Sequence, residues 1–334
     1  MSLSTRFTEL VGIEHPVVQE GLGPYRLVHL AAAVSNAGGL GTVSMPGMTD
    51  LDGARVLRGY IEEACTMTDK PFAVNVPVGA DSSGKVLPFS AAYVQAVVDA
   101  RADPEIAKRL KVITTSAGAP SVVRPIIEGS GLVHLHKVGG TRQALRAQSD
   151  GVDAIIASGY EAGGHTHSRP VHTIVLGPNV TEAVDIPVVL AGGIRDGRTV
   201  AAAFALGADA VAMGTRFVAS HDNPDWNEAY AKAVVEAGEG DDVVFKAVYG
   251  PSRALRTPGL AELAELEETG AFADVDAVTQ WKDQRLISAQ RDGDIDGGIL
   301  PMGQVASGIK DLIHVAEYVP GVMADARRVL AGLQ

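Results

Sequence analysis

Eight short runs of continuous apolar, β-branched residues, separated by longer stretches that include helical patterns, constrain this chain more than any other feature. The runs are His15–Gly21, Leu40–Met45, Pro71–Val78, Lys111–Ala117, Val133–Val138, Asp153–Ser158, Pro187–Ala191 and Ala210–Met213. Continuous rather than alternating apolar character suits parallel strands covered on both faces. Helical patterns lie between them at Tyr25–Ala37, Asp52–Met67, Arg142–Ser149 and Arg198–Leu206. Eight βα units within 334 residues predict an α/β protein built as a (β/α)8 TIM barrel with an additional C-terminal helical cap segment. A doubly wound sheet is the competing arrangement, but it calls for fewer strands and an early dinucleotide fingerprint.

The barrel is expected over residues 1–220. Beyond Ser220 the pattern changes: a helix at Pro224–Gly238, strand-like or irregular chain at Asp241–Gly250, a glutamate-rich helix at Leu260–Asp274, a loop at Gln280–Gly298 and closing helices at Val305–Leu333. Residues 221–334 thus read as a cap segment and C-terminal helices packed on the barrel. The stretch Val78–Ser90 lengthens the third βα loop, and long loops on the active face often act as lids.

Hydrophobic residues make up 46% of the chain and charged residues 20%, enough for a large core. The formal charge is 28 − 40 = −12, which argues against nucleic-acid and anionic-membrane partners. One cysteine, Cys65, excludes an internal disulfide and reads as a buried or half-buried helix residue. No signal-peptide core or membrane-length apolar run is visible, so a cytoplasmic location is expected. Homo-oligomerisation stays open.

Two adjacent strands end in glycine turns, Ala191-Gly192-Gly193 and Met213-Gly214-Thr215. As the seventh and eighth strands they fall where barrels build their usual phosphate site, and amides at a helix N-terminus plus a threonine hydroxyl are expected to hold it. After the sixth strand comes Gly163-Gly164-His165-Thr166-His167. A histidine flanked by glycines at a strand's catalytic end reaches a ligand, and its ordinary pKa suits proton transfer near neutrality. A metal site is not expected, because His165 and His167 have no evident further ligands. Lys137, ending the fifth strand, either meets a ligand or is solvated. Asn75, a polar amide within an apolar strand, needs a partner in a ligand or a neighbouring backbone group.

With these residues the sequence resembles the nitronate monooxygenase family, formerly 2-nitropropane dioxygenases. Related to that family are NADH:quinone reductases and flavin-dependent enoyl-acyl-carrier-protein reductases. The likeness is carried by Glu14-His15-Pro16-Val17-Val18-Gln19, Ala33–Gly41, Thr68–Asn75, Glu161-Ala162-Gly163-Gly164-His165, the two glycine turns, Gly293–Gly298 and Gly303-Gln304, and runs from about Thr5 to Leu333. It implies non-covalent FMN, with Gly21, Leu22 and Asn75 lining the flavin and Lys137 touching it. Gly163 and Gly164 would flank it, Ala191, Gly192, Gly193, Met213, Gly214 and Thr215 would form the phosphate site, and Gln304 would complete it. His165 matches the family's active-site histidine. The chain departs from the family where Gln-Gly-Gly-Met becomes Gln19-Glu20-Gly21-Leu22, and where the histidine is followed by Thr166-His167-Ser168-Arg169.

The leading expectation is FMN-dependent oxidation of alkyl nitronates to a carbonyl compound and nitrite with oxygen. The alternatives are an NAD(P)H-dependent FMN reductase of a quinone or an enoyl thioester, and a non-catalytic flavin-binding protein.

Overall fold

The computed structural model describes residues 4–47, 52–79, 84–247, 250–272 and 274–333. Eight parallel strands form a nearly closed barrel. They are β1 (Val17–Gln19), β2 (Gly41–Ser44), β3 (Phe72–Val78), β4 (Leu110–Ala117), β5 (Val133–Val138), β6 (Ala154–Ser158), β8 (Val188–Ala191) and β9 (Ala210–Met213). Around the ring the order is β1-β9-β8-β6-β5-β4-β3-β2. The ring closes where Gln19 N donates to Leu40 O (2.9 Å) and Leu40 N to Val17 O (2.9 Å). Every strand expected from the sequence is present, trimmed or extended at its ends by a residue or two.

Inside the barrel, Val18, Leu40, Ala73, Val112, Leu135, Ile156, Val189 and Ala212 pack as one cluster with Phe7 and Val11 of the N-terminal helix Arg6–Val11. That helix stops the barrel's lower end, and Arg6 pins it there through Asp209 at 2.9 and 2.8 Å. The open mouth is therefore at the strands' C-terminal ends. Trp226, Tyr230, Val315 and Val319 share a core with barrel residues such as Leu190 and Phe217. No helix among the described residues is long and apolar enough to cross a membrane.

Two expectations for the last third change. Asp242–Ala247 (β10) is followed by Gly250–Leu255 (β11), and the pair forms an antiparallel sheet with Gly164–His165 (β7). The segment Gln280–Gly298, expected as loop, begins inside the helix Val275–Ile287 and continues through a wider π-type turn at Ser288–Asp292. It folds because its charges are matched: buried Lys282 reaches Glu267 at 2.8 Å and Lys246 O at 2.6 Å. Of the Val78–Ser90 loop, Ala80, Asp81, Ser82 and Ser83 lie outside the described residues; its flanks are tied by Leu87 N to Gly79 O and Gly79 N to Ser90 Oγ, both 2.9 Å. Cys65 is half-buried in the helix Gly53–Met67, where burial raises its thiol pKa.

On β5, His134 and His136 share a face and both are buried. Thr115 Oγ1 sits between them, 2.7 Å from His134 Nε2 and 2.8 Å from His136 Nδ1. Burial is the main cause pushing them down, to about 3 and about 4 respectively. Because both folded-state values lie below the usual 6.5, the unfolded chain takes up these protons first. Stability should thus be complete above about pH 6.5 and fall as pH drops toward 4, by on the order of 2 kcal/mol per histidine at pH 5. Denaturant unfolding at neutral pH and near pH 5 measures this, and equal midpoints would refute it.

Candidate functional site

One cavity opens at the barrel mouth, walled by the ends of all eight barrel strands and by residues of the last third. Its wall contains Gly21, Leu22, Asn75, Lys137, Gly163, Gly164, His165, Gly192, Gly193, Met213, Gly214 and Thr215. Two candidates fall outside it. Ala191 is the buried last residue of β8, its carbonyl taken by Gly159 N at 2.9 Å. Gln304 has an exposed side chain, and only its backbone serves the site, through Gln304 N to Glu161 O at 3.0 Å.

The phosphate-sized end is made by backbone. Gly192 and Gly193 take φ of 100° and 76°, so the chain turns back sharply over the end of β8 and no side chain fills the space. The first amides of the following helix, Gly197–Ala205, are not part of this cradle, because the Asp196 side chain caps Arg198 N and Thr199 N. Thr215 Oγ1 is fixed by Gly303 N at 2.9 Å. At Gly214 a side chain would press on Leu22, and at Gly21 it would collide with Asn75. The open glycine cradle with a hydroxyl beside it fits a phosphate, and Gly21 lets the backbone pass close against Asn75.

Sequence reading missed the network joining this end to the histidine. Glu161 accepts from Thr173 N (3.0 Å) and Thr173 Oγ1 (2.8 Å), and that hydroxyl is also 3.0 Å from Gly192 O. Buried Arg253 of β11 pairs with Asp242, donates to Tyr160 O at 3.0 Å and stacks over the Tyr160 ring. Register pairs Ser252 with His165 and Arg253 with Gly164, so the hairpin splints the histidine loop. From the last helix-and-turn segment, Gln290 Oε1 accepts from Tyr25 N and Nε2 donates to Gly23 O, both at 3.0 Å, fixing the loop beyond Leu22.

Asn75 finds a side chain as its partner: Nδ2 donates to Thr114 Oγ1 at 2.9 Å. Lys137 is not simply solvated. Its Nζ lies 3.1 Å from Glu20 Oε1 and 3.3 Å from Oε2. His165 lines the cavity with its side chain exposed to it, and the crowding of protein around that open ring, then the Lys137 ammonium, push it down to about 4. His167 is lowered to about 4 by the same two causes. Where a histidine titrating near neutrality is expected, both shifts run downward, which favours the neutral rings and suits them to hydrogen bonding.

The family description "Nitronate monooxygenase" matches residues 4–325. The chain belongs to the nitronate monooxygenase family. It is a flavin-dependent oxidoreductase. It is 33% identical to the (3aS,4S,5R,7aS)-5-hydroxy-7a-methyl-1-oxo-octahydro-1H-indene-4-carboxyl-CoA dehydrogenase of Mycobacterium tuberculosis, covering 98% of this chain and 97% of that protein. It is 32% identical to the probable nitronate monooxygenase of Staphylococcus saprophyticus, covering 80% and 83%. Among solved structures, FabK from Thermotoga maritima superposes with a TM-score of 0.85 at 35% identity, over 99% of both chains.

Gly163 offers a test of the site's construction. A methyl there would stand 2.4 Å from Met302 C and 2.5 Å from Gly303 N, both backbone atoms, and would displace the segment that fixes Thr215. Gly163→Ala should weaken flavin binding by roughly tenfold or more, the worth of about one lost hydrogen bond to a charged group. Fluorescence titration of the apoprotein reads this directly; unchanged affinity in a folded variant would refute the role given to Gly303.

Proposed function

We propose that this protein is an FMN-dependent oxidoreductase of an acyl thioester, exchanging electrons with a nicotinamide. The observation that carries the reading is the apolar part of the cavity lining: Pro24, Met45, Pro77 and Leu286 all face the cavity, with Pro77 on β3, the strand opposite β8 in the ring. A small nitronate has no use for such a surface, whereas an acyl chain is bound by it. Similarity to a carboxyl-CoA dehydrogenase over nearly the whole chain supports the same reading.

In this reading Gly192, Gly193, Gly214 and Thr215 hold the FMN phosphate, while Gly21, Leu22 and Asn75 flank its rings. FMN, when bound, supplies the two-electron chemistry. His165, with its pKa lowered, hydrogen-bonds the acyl carbonyl and orients the chain. Nitronate oxidation is the second reading, favoured by the family match and by the Staphylococcus relative.

Anaerobic mixing of the flavin-loaded protein separates the two. Bleaching by NADH or NADPH, followed by re-oxidation with crotonyl-CoA, is the expected result. Bleaching by propyl-2-nitronate with none by either nicotinamide decides for the second reading. His165→Asn should keep its flavin while thioester turnover falls roughly a hundredfold, in the range typical of a lost positioned polar group.

A further inference from the structure

We propose that Glu20 sets the charge selectivity of this site: by holding the Lys137 ammonium it keeps small anions out of the space beside His165 and reserves that space for an uncharged hydrogen-bonding group. The hydroxyl or carbonyl of an acyl chain is such a group, and in that respect the inference rests on the thioester reading.

Four observations carry it. Among the described residues lining the cavity, Lys137 is the sole lysine or arginine. Both Glu20 oxygens lie within 3.3 Å of its Nζ, and the two side chains are only 13% and 18% exposed, so water screens the pair little. His165 and His167 both lie in the field of that ammonium, which places the pair against the histidine end of the cavity. The other carboxylates on the wall, Glu161 and Asp283, add no positive charge, and Glu161 is occupied with Thr173. A nitronate entering here meets a compensated cation and nearby carboxylates, while a neutral hydroxyl or carbonyl pays no such charge penalty. Specificity by repelling the wrong ligand is the device.

The test uses flavin-loaded protein, kept anaerobic, titrated with propyl-2-nitronate and followed by the flavin difference spectrum. Glu20→Gln uncovers the ammonium and should lower the half-saturating nitronate concentration roughly tenfold or more, a gain that shrinks with added salt. Glu20→Asp keeps the charge and should behave as the parent. The double variant Glu20→Gln with Lys137→Gln should lose the gain. No tightening in Glu20→Gln, or equal tightening in the double variant, overturns the proposal. Should Glu20→Gln fail to fold, Lys137→Gln alone decides: leaving Glu20 unpaired should loosen nitronate several-fold, and unchanged binding overturns the idea. Turnover of crotonyl-CoA with NADH by the parent is scored separately. If that fails while Glu20→Gln still tightens nitronate, the thioester reading falls and the exclusion of anions by Glu20 stands.

Discussion

The seam of the barrel is closed by the backbone of Val17 and Gln19 pairing with Leu40 and reinforced by one buried side chain, Gln19. Strand β1 is only three residues long, too short to pair fully with β2 through its backbone. Gln19 makes up the difference: Oε1 accepts from Thr42 N at 2.9 Å, while Nε2 turns back to donate to Glu20 O. One amide therefore reinforces the seam and fixes the residue that leaves it. Glu20, Gly21 and Leu22 come out of the seam in a set direction, so the Glu20 carboxylate meets Lys137 on β5, half the ring away. A polar group buried this deeply is tolerated because both ends of the amide are satisfied.

The mouth is held by the same logic from the other side. Chain segments far apart in sequence are tied to it by single hydrogen bonds: Gly303 to Thr215, Gln304 to Glu161, Gln290 to Gly23 and Tyr25, Arg253 to Tyr160. The last third of the chain thus works less as a cover than as a set of braces. It needs no large apolar face toward the cavity to do this, only correctly placed amides and one buried guanidinium.

That division explains what could be read from the sequence. Barrel strands announce themselves, because a strand buried on both faces must be apolar throughout, as Val188–Ala191 and Ala210–Met213 are. Glycine turns are legible because nothing but glycine suits the backbone at Gly192 and Gly193. The helix Val275–Ile287 was hidden because its middle, Trp281-Lys282-Asp283-Gln284-Arg285, looks like solvated loop until Glu267 and Glu262 arrive from another helix. The ion pair of Glu20 with Lys137 spans 117 positions, and no local pattern reports it. At Gln304 the dipeptide marks a contact that the backbone amide makes, donating to Glu161 O, while the side chain is exposed.

The histidine shows most clearly how a site's chemistry escapes its motif. Gly164-His165 specifies a ring at the mouth, and the ring's usual pKa suggests a proton carrier. In place, it stands exposed in a protein-lined mouth with an ammonium nearby, and the surrounding protein and the ammonium both disfavour the charged form. The same ammonium is matched by a carboxylate from the seam strand. The end of the cavity nearest His165 therefore holds opposite charges that cancel and a ring whose neutral form is favoured, although every residue there is titratable. Selection at such a site follows from where hydrogen bonds can be made, and a substrate that brings its own charge finds nothing left to neutralise it.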